Sequence, residues 1–140
     1  MATIIHTELK RGMTGSPTHS FVTWDTDDVD YSFLDETDSG VITAANVDYD
    51  EVDAATVVGT GEFATLTDTD GVVSISGTVT HTALTGDAAD YFTVFKNSGT
   101  PATSPLCITW DSASTGLPIT PNGNDVDITL SGNTVLTLAG

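Results

Sequence analysis

Apolar side chains recur at every second position through much of this chain, the period of a β-strand with one face on a core and the other in water. In Asp125–Leu130 the inward set is Val126, Ile128 and Leu130, and the outward set is Asp125, Asp127 and Thr129. Val73, Ile75, Gly77 and Val79 alternate with Ser74, Ser76, Thr78 and Thr80, and Val29, Tyr31 and Phe33 share a face away from Asp30 and Ser32. Turn residues interrupt these runs roughly every 8–12 residues, the spacing of an all-β domain. Leu, Lys, Arg and Glu are scarce, whereas the chain holds 26 Thr and 11 Ser, so no helical bundle is expected.

The predicted strands are Ala2–Leu9, Phe21–Trp24, Val29–Leu34, a long hairpin of Thr56–Leu66 and Val72–Thr82, Tyr91–Lys96, Leu106–Asp111, Leu117–Thr120, and a terminal hairpin of Asp125–Leu130 and Thr134–Leu138. Asp70-Gly71 closes the long hairpin, since an Asp-Gly pair supplies the positive φ of a tight turn. Tyr91–Lys96 is apolar on both faces and so is placed centrally; Leu117–Thr120 is flanked by Pro and reads as an edge. Asp35–Asp53 is read as an exposed acidic loop rather than as a helical turn over Ile42–Val47. The fold class is all-β: a single antiparallel β-sandwich, jelly-roll or immunoglobulin-like, of about nine strands. Residues 1–20 are read as an N-terminal strand and flexible arm, with Lys10–Ser20 as the arm, and residues 21–140 as the sandwich.

Charge sets a second limit. The 140 residues carry 3 Lys+Arg against 20 Asp+Glu, a formal net charge of −17. Over the roughly 6,900 Å² of surface expected at this mass, that is about one excess charge per 400 Å². Such a surface repels nucleic acid. An Asp-rich, Thr-rich, Lys-poor composition is similar to that of proteins from salt-in halophiles, whose carboxylates keep the surface hydrated at molar salt. No run is long and apolar enough to span a bilayer, and Met1–Gly12 has no apolar leader-like stretch, so no membrane partner is expected. A lone Cys107 excludes a disulfide within the chain and reads as a small core residue.

Chemical constellations are sparse. His6, His19 and His81 fall in a terminal strand, the arm and a hairpin, with His81 facing solvent, and no Gly-x-Ser-x-Gly elbow is present. The chain is therefore not expected to be an enzyme, and no cofactor is expected. Asp25, Asp27 and Asp28 are candidates for a hard cation, but the Gly and Glu of an EF-hand loop are missing at the required spacing. Gly59-Thr60-Gly61 lacks the Lys and following helix of a phosphate loop, so its glycines mark a bulge or a close backbone approach. Lys10 and Arg11 are two of the three basic residues and follow the apolar Ile4 and Ile5. These four residues are the candidate partner contact. The segment either adds to a neighbour's sheet or forms the edge of its own, with two solvated charges.

Ala89–Leu106, ADYFTVFKNSGTPATSPL, resembles a pattern in small virion proteins of tailed viruses: an aromatic strand ending in Lys, then a Gly-Thr-Pro turn leading into the next strand. EVDAATVVGTGEFATLTDTDGVVSISG is similar to their V-x-G-T-G segment followed by a hairpin, and DDVDYSFLDE fits their preceding strand. The resemblance spans roughly residues 21–138 and rests on the order of strands and turns. Where that family has a second Gly-rich stretch and more basic residues, this chain has Glu62, Phe63 and many Asp, a departure that suits a haloarchaeal host. The resemblance implies a virion structural protein: a capsid decoration (cement) protein on the outside of the head, binding the major capsid protein and copies of itself, often as a trimer. A tail, neck or adsorption component is the alternative it leaves open, and a secreted, lectin-like domain of a halophile is the reading outside it.

Overall fold

The computed structural model describes residues 3–13, 22–24, 26–39, 41–52, 57–63, 66–69, 72–75, 79–111, 116–128 and 134–137. The strands are β1 (Thr3–Ile5), β2 (Val29–Leu34), β3 (Val57–Glu62), β4 (Leu66–Thr69), β5 (Val72–Ile75), β6 (Val79–His81), β7 (Tyr91–Lys96), β8 (Leu106–Trp110), β9 (Val126–Ile128) and β10 (Thr134–Thr137). Among the described residues, helix is confined to α1 (Thr7–Met13), the four-residue α2 (Glu36–Ser39) and two 3-10 turns, Tyr49–Glu51 and Pro101–Thr103. The fold is all-β, and every strand pair is antiparallel. A five-stranded sheet runs β1-β8-β7-β2-β3; β10-β5-β4 and β6-β9 form smaller ones.

The main sheet buries both faces. Register places Val29, Tyr31 and Phe33 of β2 beside Phe92 and Val94 of β7 and Ile108 of β8. These residues share one core with Leu66, Val73, Leu84 and Ile128 from the smaller sheets and their connections. The opposite face carries Leu34, Tyr91, Phe95 and Leu106, covered by Ile42, Tyr49 and Val52. Tyr49 lies flat on Phe95 with centroids 3.9 Å apart. Strands β2 and β7 match the sequence reading residue for residue, and β7 is central, because a strand buried on both faces has apolar side chains at nearly every position.

Several expectations are corrected. The strand read over Ala2–Leu9 ends at Ile5, and the arm begins as helix α1. Glu8-Leu9-Lys10-Arg11 is a run of strong helix formers, with the acid in the first turn and the bases in the last, so propensity and the helix dipole override the alternation. Residues 14–20 of the expected arm lie outside the described residues. Val22–Trp24 is a turn, not a strand: the Thr26 and Asp27 amides donate to the Thr23 carbonyl, at 3.1 and 2.8 Å. The described part of the acidic stretch, residues 35–39 and 41–52, is not a wholly exposed loop, because Ile42, Tyr49 and Val52 turn inward to cover the sheet.

Pairing also differs from the reading. β3 pairs with β2, not with β5; the hairpin is the short one of β4 and β5, with Thr69 opposite Val72 and Asp70-Gly71 between them, outside the described residues. Of the expected terminal hairpin, residues 129–133 and 138 lie outside the described residues; among the described ones β9 pairs with β6 and β10 with β5, not with each other. Leu117–Thr120 contributes one bridge, Ile119 to Ala89. Alternation reports which face of a strand is buried; it carries no information about which strand lies beside it.

Candidate functional site

The candidate contact residues lie together at one edge of the main sheet. β1 pairs with β8 through Thr3–Trp110, Ile4–Thr109 and Ile5–Ile108. Ile5 packs against one core and Ile4 against the other, so the apolar strand belongs to the chain's own sheet. Lys10 and Arg11 project from α1 and stay exposed, and Arg11 lies 3.6 Å from the carboxylate of buried Glu8. The third base, Lys96, pairs with Asp27 at 2.9 Å. An exposed basic pair thus stands beside this edge of the main sheet.

The acids singled out as cation candidates are committed elsewhere or lie apart. Asp25 is outside the described residues. Asp27 Oδ2 accepts from the Thr23 amide at 2.6 Å as well as from Lys96. Asp28 is exposed, and its carbonyl accepts from the Asn97 amide at 2.8 Å. Among the described residues, no group of three His, Cys, Asp or Glu is placed to hold a metal. Further along, Asp125 accepts from the Ala83 amide at 3.0 Å and Asp127 from the Thr80 hydroxyl at 2.7 Å, both as ties within the fold.

The histidines and the cysteine are built into the packing. His81 does not face solvent freely: it is half-buried, edge-on to Tyr31 and Phe33, with Nδ1 3.2 Å from the Tyr31 hydroxyl. Gly59 and Gly61 explain that closeness. A Cβ on Gly59 would stand 2.7 Å from His81 Nε2, and one on Gly61 would collide with the Tyr31 ring and hydroxyl. Glycine serves close approach here, as the sequence suggests, and the β3 register also shifts between Phe33 and Leu34. Cys107 is fully buried, and burial pushes its thiol up to about 12, far from the thiolate a nucleophile needs.

A buried polar row escaped the sequence reading. Ser32, Thr93, Thr109 and His6 are all fully enclosed. His6 Nδ1 lies 3.0 Å from the Asn46 carbonyl, which only accepts, so the proton sits on Nδ1. Nε2 then accepts from Thr109 at 2.8 Å, and Thr93 lies 2.7 Å from Thr109. Tyr49 and Ser32 share a hydroxyl contact of 2.6 Å. The available signal was position: Ser32, Thr93 and His6 each interrupt an otherwise apolar stretch.

Asp30 occupies a position that disfavours its charge. One of its oxygens is buried without a hydrogen-bond partner, the other accepts from Asn97 at 2.9 Å, and Glu62 stands directly opposite on β3. Burial first, then the charge of Asp28, raises its pKa to about 6, with Glu62 adding to the push. A carboxyl whose folded value lies above its unfolded one takes up a proton on folding, so this group costs stability above pH 6 and the cost fades toward pH 4. Asp30→Asn is expected to stabilise the protein at pH 7 by about 1 kcal/mol, after allowance for solvent screening, and by nothing near pH 4. Urea midpoints at the two pH values check this; a loss at pH 7, or an equal gain at both, rejects it.

No helix among the described residues is long and apolar enough to cross a membrane. The chain matches no family model, no curated protein and no solved structure.

Proposed function

We propose that this chain is a structural protein of a tailed virus with a haloarchaeal host, placed on the exterior of the capsid as a decoration (cement) protein. In this reading the sheets form one antiparallel sandwich, the main sheet facing the smaller ones across the larger core. The observation that supports it is how the reactive residues are used. Among the described residues, His6, His81, Cys107, Asp27, Asp125 and Asp127 are all tied into packing or internal bonds, and the exposed basic pair Lys10/Arg11 sits beside a sheet edge on an acidic molecule. Such a surface suits adhesion rather than turnover. Lys10 and Arg11 would meet an acidic patch of the major capsid protein or of a neighbouring copy, and charge complementarity would set the register of docking. A standard interface buries on the order of 1,600 Å² in total, within reach of a domain this size. The copies would group as trimers, as the resemblance implies.

Gold labelling of purified virions with an antibody to this protein tests the placement. Label over the head supports it; label on the tail or neck moves the protein to that position; virions without label favour a cellular binding domain. A charge-altered variant tests the contact. Deleting residues 1–12 is unsuitable, because it removes β1 and the buried His6 and Leu9. Lys10→Glu with Arg11→Gln leaves those in place and is expected to lower head occupancy at least tenfold, given that two charged contacts of about 1 kcal/mol each are lost or reversed. Unchanged occupancy rejects the Lys10/Arg11 contact.

A further inference from the structure

Among the described residues, His6 is the one titratable imidazole that is wholly enclosed, and it joins three elements at once. Its amide donates to the Cys107 carbonyl of β8 at 3.0 Å, and its carbonyl accepts from Lys10 of α1 at 3.2 Å. Its ring bonds Asn46 on one side and Thr109 on the other. We propose that His6 makes the β1–α1 segment an acid-released latch: protonation frees residues 3–13 from the sheet while the strands inside the sheet stay paired.

The geometry favours local release over global unfolding. Among the described residues β1 is three residues long and has one neighbour, β8, whereas β2 and β7 each have two. Beyond β1, the segment is held mainly by buried Leu9, by Glu8 and by the two bonds of Thr7 to the Ala44 carbonyl. A protonated ring would keep its hydrogen bonds, because Thr109 and Thr93 can reverse their hydroxyls and pass the last proton to the Ile108 carbonyl, 3.3 Å from Thr93. What it cannot keep is a neutral centre in a dry site. The charged groups that act on the ring are Lys10 of α1 and Glu51, which bonds Asn46; Glu8 and Arg11 lie on the same helix, and the strand neighbours Thr109 and Thr93 are neutral. Lys10 opposes the proton, Glu51 favours it, and burial outweighs both, lowering the ring's pKa from 6.5 to about 4.

The sign follows. A released His6 binds its proton near pH 6.5 and an enclosed one only near 4, so acid favours the released form between those values and not further below. At pH 4.5 the opening equilibrium should stand on the order of fifty-fold above its value at pH 7. Asp30 in β2 works the other way over the same range: its protonation relieves repulsion with Asp28 and Glu62 and tightens the inner sheet. Acid thus loosens the edge while it eases the centre. Release bares the edge of β8 from Cys107 to Trp110, to which β1 is bonded.

Amide hydrogen exchange on the full chain at pH 7 and pH 4.5, corrected for intrinsic chemistry, tests the latch. The His6, Thr7 and Lys10 amides should lose protection about fifty-fold while amides of β2 and β7 hold theirs. Equal loss in all strands, or no loss at the segment, overturns it. Ring nitrogen NMR of the same wild-type protein gives an independent reading: a neutral Nδ1–H ring at pH 5.5 is expected, and titration near 6.5 within a still-protected segment overturns the latch as well.

Discussion

Gly61→Ala is expected to cost about 3 kcal/mol or more, a large share of the roughly 5–15 kcal/mol that separates folded from unfolded domains. The new methyl would fall on the hydroxyl and ring of Tyr31. Tyr31 is 3% exposed and is held edge-on by Phe33, Phe63 and His81, with centroids 5.2–5.9 Å away, so it has nowhere to move. Gly61 does not have the positive φ that favours glycine, so the whole loss is steric. Gly99→Ala is the matched control: its φ is +83° with nothing within 4 Å, and it should lose only about 1 kcal/mol, from backbone strain. Adding Tyr31→Phe to Gly61→Ala removes the hydroxyl, the atom nearest the new methyl, and should recover part of the loss as a positive coupling. Urea midpoints read all five proteins, the Tyr31→Phe single variant included because the coupling is defined against it. A Gly61→Ala variant as stable as wild type would refute this packing of β3 on β2.

Removing salt should be the next largest perturbation. At one excess charge per 400 Å² the mean spacing is about 20 Å, and a pair at that distance repels by about 0.2 kcal/mol in water before screening. The Debye length is about 30 Å at 0.01 M and 3 Å at 1 M, so the repulsion is nearly whole in the first case and absent in the second. Summed over neighbouring charges, the folded state should lose several kcal/mol between 1 M and 0.01 M KCl, a fall in Tm of roughly 10 °C or more for a chain this size. KCl is the salt to use, since sulfate would also strengthen apolar burial. A Tm that stays level from 0.01 to 3 M would contradict the high-salt origin. The three bases cannot offset this: one is paired with Asp27 and another sits beside Glu8.

Local pattern carried some of the molecule to its final form and stopped short of the rest. β2 and β7 were legible to the residue because a doubly buried strand must be apolar almost throughout. The glycines of β3 were legible as a place of close approach, though not whose ring approaches. Of the candidate site, the exposure of Lys10 and Arg11 follows from their charge, but their helical setting comes from the surrounding Glu8 and Leu9. His6 was hidden because a single histidine in a strand looks the same whether it meets water or Thr109.

Composition and period alone determined the all-β class, the acidic surface and the absence of an internal disulfide, because these depend on residue type and on neighbours one or two positions away. Strand partnership, the inward turn of Ile42, Tyr49 and Val52, the crowding of Asp30 by Glu62 and the enclosure of His6 were decided only by tertiary structure. Each of these joins residues far apart in the chain, and nothing in local sequence records which distant surface will exclude the water.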